Sequence, residues 1–136
     1  MNAVEKAAQR LKTEEGFRAR SYRDSKGFLT IGYGFCIDFG ITPRAAAALL
    51  QAQVQELHEN LMEYSWYAAL DVVRQSVCLD VAFNEGLHGL LGFPNMIAAL
   101  ARRDWPSAAT ECRVEDEKLD ASRYAPLRQL LLTGTV

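Results

Sequence analysis

One short stretch of the chain, residues 20–33, departs from the helical pattern found elsewhere and limits the possible folds. Strand-forming residues occupy 20–23 and 28–33, and the turn sequence Asp24-Ser25-Lys26-Gly27 lies between them. This pattern predicts a β-hairpin. Because the remaining segments have helical periodicity, the sequence predicts an α+β fold in which a small hairpin lobe near the N-terminus is followed by a larger helical lobe.

Apolar spacing and capping signals predict the helices. The first ends at Gly16, a typical C-terminal stop, and Thr42 with Pro43 begins a long helix after the hairpin. A nearly continuous apolar run predicts a buried central helix. The predicted helices cover residues 4–15, 42–63, 71–84, 94–103, 104–113 and 121–132, with loops at 86–92 and 114–120.

Composition limits the architecture and the classes of function. A chain of 136 residues that is 49% hydrophobic predicts a single domain, residues 1–136. The net charge of -2 gives no general attraction to nucleic acid, so no nucleic-acid partner is expected.

The cysteines and histidines do not predict a metal site or a disulfide scaffold. Cys36, Cys78 and Cys112 lack the short spacing of zinc ligands, and we expect all three to be reduced and structural. His58 and His88 have no partner at ligand spacing. The sequence therefore predicts neither a metal nor another cofactor.

The N-terminal residues carry no sign of export. The first eleven residues are polar and mixed in charge, without the apolar run of a signal peptide, and no window is long enough to span a membrane. We expect a monomer made as a soluble cytosolic chain without membrane insertion. A substrate outside the membrane would then be reached after release or delivery.

Three polar residues near the hairpin are candidates for chemistry. Glu15 precedes it, Asp24 lies at its turn and Thr30 on its second strand. Two facing carboxyl groups are what a glycosidase uses, one as acid and one to handle a water molecule or the oxocarbenium-like centre, and a hydroxyl could hold that water. Taken alone, the pattern also fits an ordinary turn-forming Asp and an ordinary strand Thr.

A longer set of motifs resembles the phage-type lysozymes, glycoside hydrolase family 24. The order and spacing of Glu15, Asp24 and Thr30 match that family, and the resemblance extends over most of the chain. The matching motifs are Glu15-Gly16-Phe17, Tyr22-Arg23-Asp24, Lys26-Gly27, Leu29-Thr30-Ile31-Gly32-Tyr33-Gly34, Gly40-Ile41-Thr42, Ala82-Phe83-Asn84, Gly92-Phe93, Asp104-Trp105 and residues 131–134.

The resemblance implies a lysozyme-like fold with a hairpin lobe at about 12–41, a connecting helix at about 42–63, and a helical lobe at about 64–136 that includes the N-terminal helix. It implies hydrolysis of the β-glycosidic bond between N-acetylmuramic acid and N-acetylglucosamine in bacterial peptidoglycan, with inversion favoured. By resemblance, Glu15 is the general acid, Asp24 handles water, Thr30 is its hydroxyl partner, Phe83 and Asn84 bind sugar, and Arg123 lies near the catalytic Glu.

The chain also departs from the family pattern. Phe35 replaces a His or Arg, Glu85 replaces an apolar residue, and the acidic segment 114–122 replaces a Trp followed by a Gln-Thr-Pro type sequence. These departures keep an alternative open, a catalytically impaired module of the same fold that binds peptidoglycan or a protein partner. A phage endolysin, a prophage remnant and a delivered effector would all have this sequence pattern.

Overall fold

The computed structural model describes residues 1–135, which form two compact units, Met1–Ala48 and residues 49–135. The first unit contains α1 (Ala3–Glu15), the strands β1 (Arg18–Arg23), β2 (Leu29–Gly32) and β3 (Phe35–Cys36), and a 3-10 helix (Ile37–Phe39). The boundary between the units falls within α2 (Pro43–Leu61). The predicted α+β fold class is confirmed.

The strands form one antiparallel sheet in the order β1-β2-β3. The sequence predicted only a two-stranded hairpin, and that prediction was incomplete. The missed strand, β3, has two residues and pairs Ile31 with Phe35 and Thr30 with Cys36. A strand this short has no detectable alternation, so periodicity could not reveal it.

The second unit is helical. It continues from α2 through α3 (Ser65–Ala68), α4 (Val72–Glu85), α5 (Leu87–Leu91), α6 (Pro94–Ala101), α7 (Trp105–Glu111) and α8 (Glu117–Leu119), then a π-helix (Asp120–Tyr124) and α9 (Ala125–Thr133). Among residues 1–135, no helix has the length and apolarity needed to cross a membrane.

The hydrophobic core lies in the second unit, and α4 contributes most to it. Cys78 and Cys112 are fully buried there as free thiols. Burial raises the pKa of Cys78 to about 12 and that of Cys112 to about 11, so neither is a thiolate at neutral pH. The buried apolar residues of α4, α6 and α9 include Val77, Val81, Ala82, Met96, Ala99, Leu100, Leu127 and Leu131.

Two segments predicted as loops contain helices. Residues 87–91 form α5, and part of 114–120 forms α8 and the start of the π-helix. Acidic residues support the second segment: Asp116 accepts a hydrogen bond from the N–H of Leu119, and Asp120 forms two bonds of 2.8 Å with Arg128. These bonds hold the pKa of Asp120 below its usual value. The many charged residues of segment 114–120 suggested a solvated loop, because the sequence does not reveal which groups these carboxylates bind.

A buried guanidinium joins three helices of the second unit. Arg74 on α4 donates to Asp71 (2.9 Å) and to the carbonyl oxygens of Leu131 (2.8 Å) and Leu132 (3.3 Å) near the end of α9. Its guanidinium carbon lies 3.8 Å from the ring centroid of Trp105 on α7. The cation thus satisfies carbonyl groups that the end of a helix leaves without intrahelical partners.

Replacing Arg74 should destabilise the protein strongly. Arg74→Met keeps much of the apolar stem but leaves two carbonyl groups and Oδ2 of Asp71 without their donor, so the free energy of unfolding should fall by about 3 kcal/mol. Urea denaturation followed by circular dichroism measures this. Arg102→Met, which removes a more exposed ion pair with Asp104, is the control and should unfold close to the wild-type midpoint. Equal midpoints for all three proteins would show that Arg74 does not hold these helices together.

Candidate active site

Glu15 is the last residue of α1, and its side chain packs against the turn between β2 and β3. The helix ends because Gly16 adopts a φ of +67° and donates its N–H to the carbonyl of Lys12. Gly34, with a φ of +75°, leaves the space that the carboxyl group occupies. A Cβ at Gly34 would lie 2.7 Å from Oε2 of Glu15. The positive φ favours glycine at position 34, and the missing side chain leaves room for the Glu15 carboxyl group at its present position.

Asp24 is held by the turn between β1 and β2. Its Oδ1 accepts hydrogen bonds of 2.9 Å from the backbone N–H groups of Lys26 and Phe28. Its own N–H donates to the carbonyl of Phe28. Among the described residues, the side-chain bonds of Asp24 go to Oδ1, which leaves Oδ2 able to accept a proton from water. The turn-forming and chemical interpretations of Asp24 are therefore compatible.

Thr30 is the one buried residue among residues 1–48, with 4% of its surface exposed. It lies on the central strand, paired with Tyr22 on β1 and Cys36 on β3. Its Oγ1 donates to the carbonyl of Phe28 at 3.0 Å, so the oxygen lone pairs remain as acceptors. Thr30 follows the turn that holds Asp24 and precedes the turn that Glu15 contacts. The structure thus places all three predicted residues around β2.

The other predicted site residues lie in the second unit. Arg123 in the π-helix forms an ion pair of 3.1 Å with Asp80 on α4, and Phe83 on α4 is 45% exposed. These three side chains border a surface cavity of about 280 Å³ with apolar and charged walls. The remaining lining residues are Leu50, Val54, Ser76 and Leu79.

Asn84 belongs to a hydrogen-bond network with Glu85 and Tyr124. The hydroxyl of Tyr124 donates to Oε1 of Glu85 at 2.9 Å, and Nδ2 of Asn84 donates to the Tyr124 hydroxyl and to Glu85 Oε1, each at 3.1 Å. Burial is the main reason that the pKa of Tyr124 is raised to about 12. The exposed Glu85 therefore has a buried partner.

Sequence reasoning missed Asp80 and Tyr124. Each contacts a predicted site residue that is distant in sequence. Asp80 and Arg123 are 43 positions apart, and Asn84 and Tyr124 are 40 positions apart. One signal was available: Asp80 is a lone carboxylate in the apolar run Val77-Cys78-Leu79-Asp80-Val81. Such a residue needs a partner or an exposed position, and it has both.

His58 has a structural role. Its Nδ1 lies 2.7 Å from the hydroxyl of the fully buried Tyr67. Within residues 1–135, no three His, Cys, Asp or Glu side chains are grouped as metal ligands.

The family model for phage lysozyme matches residues 12–120. The chain belongs to the phage lysozyme family. One curated relative is the pre-baseplate central spike protein Gp5 of Enterobacteria phage T4, 24% identical over 163 aligned positions. The alignment covers 95% of this chain, which spans 28% of that relative's length. The resemblance predicted from sequence is confirmed. The family match includes Glu15, Asp24, Thr30, Phe83 and Asn84, whereas Arg123 lies beyond it.

A side chain at Gly34 should displace Glu15. Gly34→Ala adds a Cβ that collides with the carboxyl group in addition to straining the backbone, so the melting temperature should fall by several degrees and the Glu15 side-chain carboxyl resonance should shift. Thermal denaturation and carbon-13 NMR measure the two effects.

Gly40→Ala is the matched control. Gly40 also has a positive φ, +78°, but a Cβ there meets nothing within 4 Å. This variant should show backbone strain without the change at Glu15. If both variants left the Glu15 resonance unchanged, the contact between Glu15 and Gly34 would not position the carboxyl group.

Proposed function

We propose that the protein is a peptidoglycan hydrolase, a muramidase that cleaves the β-glycosidic bond between N-acetylmuramic acid and N-acetylglucosamine. The observation that carries the proposal is the arrangement of Glu15, Asp24 and Thr30 around one strand in a member of the phage lysozyme family. Glycoside hydrolysis uses two carboxyl groups, and here a buried hydroxyl group lies between the turns that anchor them.

The proposed reaction needs two proton transfers. Glu15 donates its proton to the glycosidic oxygen as the bond to the anomeric carbon breaks. A water molecule supplies the hydroxyl group to that carbon, and Oδ2 of Asp24 accepts the water proton. Thr30 can accept a hydrogen bond from the same water, because its own proton is donated to Phe28. The products are two shorter glycans.

We propose inversion of configuration, the outcome that the family resemblance favours. Asp24 is anchored before β2 and Glu15 packs against the turn after it, so the four-residue strand separates the anchoring points by about 13 Å. Anchoring points this far apart suit the wider carboxyl spacing of inverting enzymes, which leaves room for water.

We assign sugar binding to Phe83 and Asn84, and a supporting role to Arg123. Phe83 offers an exposed aromatic face suited to stacking on a sugar ring, and Asn84 adds a polar group beside it. Asp80 forms an ion pair with the guanidinium of Arg123 and offsets part of its charge. We place the action at the bacterial wall, which a monomer would reach after release or delivery.

The direct test compares Glu15→Gln with Glu14→Gln, a neighbouring exposed carboxylate on the same helix. The assay is release of reducing sugar from purified peptidoglycan. Glu15→Gln should lose at least about 10³-fold in rate, because it removes the acid, while Glu14→Gln should stay within about twofold of wild type.

Two results would contradict the proposal. If Glu15→Gln retained the wild-type rate, Glu15 would not be the acid. If wild type released no reducing sugar yet sedimented with the wall, the chain would be a binding module of the lysozyme fold, and the acidic segment 114–122 would be the next to exchange.

A further inference from the structure

The network at the end of α4 constrains which atoms of Asn84 can meet a ligand. Tyr124 is 1% exposed, and its hydroxyl lies 2.9 Å from Glu85 Oε1. A carboxylate can only accept, so the single hydroxyl proton of Tyr124 must point to Glu85. The Tyr124 oxygen then accepts from Asn84 and cannot donate to it.

This proton count fixes the orientation of the Asn84 amide. Its two partners, the Tyr124 oxygen and Glu85 Oε1, both act as acceptors toward Asn84, so Nδ2 faces them and its donors are used. Among the described residues, Oδ1 of Asn84 accepts no hydrogen bond. A half-buried amide therefore has an unused acceptor and no unused donor.

We propose that Glu85 and Tyr124 are positioning residues that make Asn84 an acceptor-only contact for the glycan. The inference rests on the function proposed above and adds a specificity element to it. The sugar group that Asn84 Oδ1 recognises is a hydrogen-bond donor, a hydroxyl or an acetamido N–H. A ligand offering only an acceptor there would meet an oxygen it cannot bond.

The network joins residues from two helices, α4 and the π-helix. Asn84 and Glu85 are the last two residues of α4, whereas Tyr124 is the last residue of the π-helix. Arg123 precedes Tyr124 and contacts Asp80, so two successive residues of the π-helix bond to α4. An insertion of this kind in a helix is often found at functional sites, and here it brings Tyr124 onto Asn84.

The test changes the acceptor at position 85. Glu85→Leu removes it, so Tyr124 is free to donate to Asn84 and the amide can turn its nitrogen toward the ligand. KM for soluble peptidoglycan strands should rise about fivefold, with kcat within about twofold of wild type. Glu85→Gln keeps an acceptor oxygen and should restore KM to within about twofold. Tyr124→Phe removes one acceptor of Nδ2 but leaves Glu85 Oε1, so it should raise KM by less than Glu85→Leu does.

Two further measurements separate positioning from a structural role. Glu56→Leu on α2 makes the same change at another exposed position and should leave KM unchanged. In the free protein, nitrogen-15 NMR should show both Asn84 side-chain protons protected from solvent exchange in wild type and Glu85→Gln, and unprotected in Glu85→Leu.

The outcomes distinguish failure of this inference from failure of the proposed function. An unchanged KM in Glu85→Leu, or a parallel loss of kcat and melting temperature without a KM effect, would overturn the positioning role while hydrolysis stands. If wild type binds the strands without cleaving them, the dissociation constant is measured instead of KM. The same fold-changes relative to wild type are then expected for the variants. If wild type neither binds nor cleaves, the proposed function and this inference both fall.

Discussion

The buried guanidinium of Arg74 is the contact on which the helical unit most depends. It joins α4 to the carbonyl end of α9 and stacks on Trp105 of α7, so one side chain fixes three helices. Breaking a buried charged contact is costly because the remaining groups lose both partner and water. With α4 held at one end, its other end presents Phe83 and Asn84 in fixed positions.

The first unit, Met1–Ala48, is organised differently. Its functional side chains are held by backbone turns and not by packing in an apolar core. Thr30 is its one buried residue, and the side chains that matter are fixed by turns. Gly34 provides the space for Glu15, while the amides of Lys26 and Phe28 hold Asp24. A side chain at this glycine would strain the backbone at its positive φ and would move the Glu15 carboxyl group from its present position.

Much of the fold could be predicted from the sequence, because the signals are local. The end of α1 at Gly16 and the N-cap at Asp104 follow from capping chemistry, and the structure has both. Strand β3 could not be predicted, since two residues carry no periodicity. The helical turns in segments 87–91 and 117–120 were also missed, because glycine and acidic content suggested loops.

Some residues of the candidate site could likewise be predicted from the sequence, and others could not. Glu15, Asp24 and Thr30 lie within sixteen residues of sequence, so their order and spacing were visible as a motif. The partners of Asn84 and Arg123 are about forty residues away along the chain. Such pairs depend on how a π-helix packs on α4, which no local pattern encodes, and only the three-dimensional structure reveals that Glu85 has a buried partner.

The identity of the sugar at the new reducing end shows whether the protein is a muramidase, as we propose. Purified peptidoglycan is digested with the wild-type protein, the fragments are reduced with borohydride, and mass spectrometry identifies the sugar at the reduced end. We expect fragments with N-acetylmuramic acid at that end. Fragments with reduced N-acetylglucosamine, or no fragments from a folded protein, would contradict it.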